Sequence, residues 1–482
     1  MAKPDRTARR DRIPQIGERE AIVSSACRTL LAIPYGGGGL KKICVLGLGY
    51  IGLPTAAMFG THGYQVVGVD VNERVVEMLG RGDIHIEEPG LRTLVTAALR
   101  SGNLTVQSQP EPADVFIIAV PTPLAHGEHA ADSVVPLPKA DLTYVRSAAE
   151  AIAPHLRRGN LVVLESTSPP GTTEQVLCPI LETTGLKVGR DLFVAHSPER
   201  VLPGRVLEEL VSNDRVIGGV DQPLAQVAQA IYASFVQGQI FITDATTAEM
   251  VKLMENTYRD VNIVLANEFA LMGERVGIDA WEAIRLANRH PRVNILRPGP
   301  GVGGHCIAVD PWFIVEAAPE DTTLIQSARR RNDGMPGGVV HRVIELLGSP
   351  GIAEIAILGI AYKADVDDAR ESPAVDVARE LARRGYGVRI TDPHVQTIPG
   401  SEAAPRPLAE AVAGADCLLL LTDHTAYREL DPTSLATAMR QRVVVDTRHC
   451  LDLAAWRRAG FRTALLGDGV SLASPQHERT YR

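Results

Sequence analysis

Lys42-Ile43-Cys44-Val45-Leu46-Gly47-Leu48-Gly49-Tyr50-Ile51-Gly52 and, further on, Gln65-Val66-Val67-Gly68-Val69-Asp70 decide the fold. Residues 43–46 are an apolar run of strand length. Glycines 47, 49 and 52 form G-x-G-x-x-G. A helical stretch runs to about Thr61, and 65–70 reads as a second strand closed by an acid. The glycine motif alone is weak evidence, but strand, glycine turn, helix, strand and acid in one βαβ unit is specific. The glycines allow a tight turn and let a pyrophosphate rest on the helix N-terminus. Asp70, 23 residues after Gly47, can accept from ribose hydroxyls and would repel a 2′-phosphate. NAD is therefore expected rather than NADP, with Gly47, Gly49, Tyr50, Ile51, Gly52 and Asp70 as its residues.

Further apolar runs follow at α/β spacing. Residues 113–120 lead into Pro121-Thr122-Pro123, and 161–165 into Ser166-Thr167. The C-terminal ends of parallel strands line the ligand crevice, which places Thr122 and Thr167 beside the cofactor. Capping of the next turn is an equally good reading of both. Another strand, 192–195, precedes Ser197-Pro198-Glu199-Arg200. From about 350 the pattern repeats, with strands ending at Gly359, Asp392, Thr422 and Asp446-Thr447. This second unit lacks G-x-G-x-x-G, so a single nucleotide suits it better than a dinucleotide. Its basic candidates are Lys363, Arg370 and Arg448.

Between the two lies a helical pattern, Thr243 to Val276, without internal proline. Lys252, Asn256 and Arg259 recur at i, i+4 and i+7 and share a face. A solvated polar face is the ordinary explanation. Yet the chain has seven lysines against 42 arginines, so a lysine heading this stripe points to function. Residues 297–313 then hold glycine at 299, 301, 303 and 304, with Cys306 and Asp310 at the end. Such a run is expected to be neither helix nor strand and to let backbone approach a ligand. By itself Cys306 is equally a buried, inert thiol.

The fold expected is α/β, two Rossmann-like doubly wound domains joined by a long central helix. The boundaries expected are a disordered extension (1–40), an NAD-binding domain (41–240), a central helical domain with the Cys306 loop (241–345), a second Rossmann-like domain for a nucleotide-linked ligand (346–470) and a tail (471–482). Composition narrows the partners. Net charge is −8 over 482 residues, which argues against nucleic acid. Six cysteines without C-x-x-C offer no zinc or disulfide framework, so no metal is expected and a reducing cytoplasm fits. No apolar run reaches the ~18 residues of a membrane span.

A thiol set between a nicotinamide and a nucleotide-linked substrate suggests oxidation past the aldehyde. Cys306 would attack the aldehyde, the thiohemiacetal would lose a second hydride, and water would release an acid from the thioester. Lys252 and Asn256 would steady negative charge on oxygen. Asp310 or Glu199 would position or deprotonate water.

The chain from about 42 to 450 resembles the UDP-glucose/GDP-mannose dehydrogenase family of four-electron nucleotide-sugar oxidases. The resemblance rests on residues 47–54, Val-Pro-Thr-Pro 120–123, Glu-Ser-Thr-Ser-Pro 165–169, 197–204, 248–256, the Cys306 loop and Asp-Asp-Ala-Arg-Glu-Ser-Pro 367–373. Residues 285–295 and 303–313 are most similar to the branch acting on UDP-N-acetyl-D-mannosamine. His305 and Val309 stand where the glucose branch usually has Ser and Lys. The resemblance implies Cys306 as nucleophile and Lys252 as acid/base or oxyanion group, with Asn256 beside it. It implies Arg200, Val201, Arg259, His290, Arg292, Gly303, Tyr362, Lys363 and Arg448 for the UDP-sugar, and Arg370 for the cofactor pyrophosphate or the nucleotide. It also implies a dimer or larger assembly in which the 290s loop reaches the partner's site. Where relatives carry a basic residue five positions after the ribose acid, this chain has Val75, preceded by Arg74. A UDP-N-acetylglucosamine 6-dehydrogenase, a two-electron β-hydroxyacid-type dehydrogenase and a non-catalytic sensor are the alternatives.

Overall fold

A computed structural model describes residues 42–125, 137–348, 353–401 and 403–472. The expected extension 1–40 lies outside them, as do residues 473–482 of the expected tail. Contacts divide the chain into two units: residues up to 122 with 141–252, and residues 123–140 with 253 onward.

The first unit is built on an eight-stranded sheet. Its strands are β1 (Lys42–Leu46), β2 (Gln65–Val69), β3 (Leu104–Gln107), β4 (Val115–Ile118), β5 (Leu161–Leu164), β6 (Phe193–His196), β7 (Arg215–Gly219) and β8 (Ile240–Asp244). The order is β8-β7-β6-β5-β4-β1-β2-β3. Only the β6–β7 pair is antiparallel. The strands read as near-continuous apolar runs because both faces are covered. Ile43 and Val45 pack on one side, Cys44 and Leu46 on the other. Cys44 is core, as its apolar surroundings imply. Helix α1 (Gly52–Thr61) follows the glycine turn and is buried along nearly its whole length.

The second unit carries a five-stranded parallel sheet of β9 (Glu354–Leu358), β10 (Gly387–Thr391), β11 (Cys417–Leu420), β12 (Val443–Asp446) and β13 (Arg462–Leu465), in the order β10-β9-β11-β12-β13. The α/β class with two Rossmann-type sheets therefore stands.

Three expectations shift. Helix α2 (Ala245–Val276) begins at Ala245, not Thr243, because Thr243 and Asp244 end strand β8. The Asp244 carboxylate then accepts from the Thr247 N–H at 2.7 Å. Residues 310–313 are helical, opening α3 (Asp310–Ala317). Pro311 fits there because the first turn of a helix needs no N–H from it. Third, the tail starts later than 471, since residues 469–472 form a short helix. Two further helices matter below, α4 (Thr323–Leu347) and α5 (Pro373–Arg383).

Glu165, at the end of β5, is wholly buried. The Tyr232 hydroxyl donates to it at 2.6 Å. Arg215 approaches it at 3.6 Å and grips Glu199 at 2.5 Å. One guanidinium thus serves two carboxylates in a dry site. Burial raises Glu165 to about 7, with Arg215 pulling down and Glu199 pushing up. The folded value lies above the ordinary 4.5, so the proton on Glu165 favours the folded state. That contribution is full below the ordinary value and lost as pH rises through about 7. Glu165→Gln should flatten the fall in stability over this window, measured by thermal unfolding at a series of pH values.

Candidate active site

In the first unit the cofactor candidates gather at one edge of the sheet, after β1, β2, β4 and β5. Gly47 has φ +88, and a Cβ there would sit 2.4 Å from the Ala119 carbonyl oxygen. A Cβ on Gly52 would fall 1.8 Å from the Gly47 oxygen. These two glycines close the turn against the chain itself. Gly49 differs: a Cβ there would meet nothing within 4 Å, so space is left over the turn. Tyr50 and Ile51 lead into α1, half-buried. Asp70 accepts from the Leu48 N–H and the Asn72 N–H, each at 2.9 Å. Two bonds leave a carboxylate with acceptor capacity for ribose hydroxyls. Thr122 Oγ1 donates to the Thr167 carbonyl at 2.6 Å, tying together the ends of β4 and β5. Open space at Gly49 with an acid beyond it fits a dinucleotide.

Glu199 takes Arg215 on one oxygen and the Arg200 N–H, at 2.7 Å, on the other. Arg200 Nη1 donates to the Asp214 carbonyl at 2.9 Å. Val201 packs on the first unit's core. Lys252 is 7 % exposed and forms no ion pair among the described residues. A solvated polar face is thereby excluded for it.

In the second unit the site forms around Cys306. The N–H groups of Val309 and Asp310 donate to the Cys306 carbonyl at 3.0 and 2.8 Å, making one tight turn into α3. Cys306 itself is half-buried. Asp310, buried, accepts from Asn256 Nδ2, and Arg259 donates to Asn256 Oδ1. These bonds orient the Asn256 amide and leave the second Nδ2 hydrogen for another acceptor. The glycines before Cys306 meet protein on the sides where side chains would stand. Cβ atoms on Gly299, Gly303 and Gly304 would come within 3 Å of Arg448, of Glu371 with Pro373, and of the Tyr362 ring. On that side the loop's glycines serve close packing against the chain itself. Burial first, then Asp368 and Cys306, push the Tyr362 phenol up to about 12. Arg370 holds Asp368 at 2.7 Å and reaches His305 Nδ1 at 3.5 Å. Arg448 donates to Asp423 at 3.0 Å. Lys363 is half-buried on the loop after β9. His290 and Arg292 stand exposed on a turn where the Arg292 N–H meets His290 Nδ1 at 3.3 Å.

Three family models match the chain in order. They are the NAD-binding domain (41–236), the central domain (246–334) and the UDP-binding domain (356–453) of the UDP-glucose/GDP-mannose dehydrogenases. The chain belongs to the UDP-glucose/GDP-mannose dehydrogenase family. Its cofactor is NAD. It is 50 % identical over 441 residues to a UDP-N-acetyl-D-mannosamine dehydrogenase of Methanococcus maripaludis, covering 90 % of this chain and 99 % of that one. It is 48 % identical over 418 residues to an NDP-N-acetyl-D-galactosaminuronic acid dehydrogenase of Ralstonia solanacearum, covering 85 % and 96 %. Among solved structures, a UDP-N-acetyl-D-mannosamine dehydrogenase of Pyrococcus horikoshii superposes with TM-score 0.81 at 44 % identity, covering 89 % of this chain and all of that one.

The sequence missed the support of this family's thiol loop. Asp260, Asn267, Arg329 and Asn332 are buried and bonded to one another beneath it. Asn256, Asp260 and Asn267 fall on one side of α2, a signal readable only with the partner helix known. Asp392, which ends β10 as Asp70 follows β2, behaves differently. It accepts from four backbone N–H groups and from His424 Nε2. His394, His424 and Asp365 bring ligand-type atoms within 4.8 Å. However, the other His424 nitrogen already faces the Asp365 N–H at 2.9 Å.

The glycines make separable predictions. Gly52→Ala should lower the unfolding midpoint by about 5 °C, because backbone must move. Gly49→Ala should leave the midpoint unchanged and weaken NAD binding about tenfold by calorimetry.

Proposed function

We propose that the chain oxidises the C6 alcohol of UDP-N-acetyl-D-mannosamine to UDP-N-acetyl-D-mannosaminuronic acid. The observation that carries this is the Cys306 turn with Asn256 bonded to Asp310 beside it. The names and likeness of the relatives support the sugar. NAD, when bound, accepts one hydride at each of two oxidations. Lys252 takes the proton of the C6 hydroxyl in the first. Cys306 then adds through sulfur to the aldehyde carbon, and Lys252 with Asn256 steadies the oxygen of the thiohemiacetal. Loss of the second hydride leaves a thioester. Asp310 orients the water that opens it, releasing the acid and the thiol. Glu199, already paired with Arg215, is the second carboxylate candidate for that water.

In this reading Gly47, Gly49, Tyr50, Ile51, Gly52, Asp70, Thr122, Thr167 and Arg370 hold the cofactor. Arg200, Val201, Arg259, Gly303, Tyr362, Lys363 and Arg448 hold the UDP-sugar. We take the domains as 41–240, 241–345 and 346–470. The protein acts as a homodimer or higher oligomer in the cytoplasm. Exposed Met254, Tyr258, Leu265 and Met272 form an apolar stripe on α2 suited to a second copy. His290 and Arg292 would then serve the partner's site. No helix among the described residues is long and apolar enough to cross a membrane.

The Ralstonia relative gives the competing reading, a galacto sugar, and the gluco epimer is a third. Incubation with each UDP-N-acetylhexosamine should yield about two NADH per manno sugar consumed, since oxidation passes through the aldehyde to the acid. NADH from the gluco or galacto sugar alone would overturn the substrate. Cys306→Ala should form no acid, and unchanged acid formation would remove the thiol mechanism.

A further inference from the structure

Gly299 opens the turn that carries Cys306, and its N–H donates to Asn267 Oδ1 at 2.8 Å. The other end of that buried amide, Nδ2, donates to Asn332 Oδ1 at 2.9 Å. Asn332 Nδ2 donates to Asp260 Oδ1 at 2.8 Å and to the Asp260 carbonyl at 3.2 Å. Arg329 Nη1 closes the chain on Asp260 at 2.5 Å, and its Nη2 donates to Asp333. Asn267 and Asp260 lie on α2, Asn332 and Arg329 on α4.

The order of donors and acceptors here is forced. An ionised carboxylate only accepts. Asn332 must therefore turn its NH2 to Asp260 and its carbonyl to Asn267. Asn267 must turn its NH2 to Asn332, which leaves its carbonyl for the Gly299 N–H. The carboxylate of Asp260, with the backbone carbonyl of the same residue beside it, sets the direction of both amides. Stability does not account for the arrangement. Asp260 Oδ2 and Arg329 Nε are buried without a hydrogen-bond partner among the described residues. A buried ion pair of that kind contributes little over an apolar replacement. Its effect is directional.

We infer that Asp260 and Arg329, acting through Asn332 and Asn267, fix the position of the Cys306 turn. They are positioning residues for the nucleophile, an inference that rests on the thiol role proposed above. Gly303 is packed against the Glu371 carbonyl and Pro373, so a displacement at the Asn267 anchor passes along a loop held at its other end.

The test is a double-mutant cycle in the full-length protein with NAD. Asn267→Asp keeps an acceptor for Gly299 but sets a carboxylate against the Asn332 carbonyl. Asp260→Asn frees Asn332 to reverse. In the double variant Asn332 can give its NH2 to the new carboxylate at 267 and take the NH2 of the amide at 260 on its carbonyl. Arg329, which shares Asp260 Oδ1 with Asn332 in the parent, moves to the amide oxygen, and the relay is rebuilt with opposite sense at the loss of the bond to the 260 carbonyl. The readout is the iodoacetamide alkylation rate of the Cys306 peptide, followed by mass spectrometry, with the unfolding midpoint and steady-state kinetics. Each single variant should change the alkylation rate about fivefold or more and lower kcat about tenfold, with KM for the UDP-sugar nearly unchanged. The double variant should return to within about threefold of the parent, a non-additivity that independent sites do not show. Additive effects would overturn the inference. So would single variants that lose thermal stability yet keep the parental alkylation rate, since the network would then be structural only. Alkylation needs no turnover, so this result is decided separately from whether Cys306→Ala still forms acid.

Discussion

Asn256, Asp260 and Asn267 lie on one side of α2, all out of contact with water. The two asparagine amides and one oxygen of Asp260 are satisfied because a particular partner stands opposite. Leaving a buried donor or acceptor unmatched costs about 1–3 kcal/mol, so a helix with three such groups tolerates few arrangements of its neighbours. Asp310 must face Asn256, Asn332 must face Asp260 and Asn267, and the Gly299 backbone must come to Asn267. The helix, the helix α4 and the thiol turn thus share one set of constraints. An apolar seam would have allowed α4 to slide by a fraction of a turn. A polar seam of directional bonds does not.

The two Rossmann-type sheets put the same chemistry at the same place and use it differently. Asp70 spends two acceptor positions on backbone N–H groups and keeps the rest. Asp392 receives five donors, four backbone N–H groups and His424, and is held well below the usual carboxylate range by those bonds against its burial. Nothing remains for a ribose. The second sheet lacks both the glycine turn and a usable acid, which is a physical reason for it to take a single nucleotide through its loops instead.

Much of this was legible in the sequence because it depends on local pattern. Apolar runs closed by Asp or Gly gave both sheets, and the spacing of Asn256 and Arg259 placed them on one face. The short strand Ile240–Asp244 merged into the helix that follows because nothing but one acid separates them. Pro311 looked like loop although the first helical turn accepts it. What stayed hidden depends on partners far apart in the chain. Asp260 and Arg329 are 69 residues apart, and each alone resembles an ordinary solvated charge. Glu165 reads as a strand end, and nothing in the sequence marks Arg215, 50 residues on, as its partner until the fold brings them together.

The glycine loop has an evolutionary consequence. Side chains at 299, 303 and 304 would strike atoms of the same unit, so these positions have almost no freedom to drift. His305, next to the thiol in the chain, is exposed and reaches Arg370 and the Tyr362 ring. Exchange of that one side chain can thus change the surface beside the thiol while the loop that presents it stays fixed.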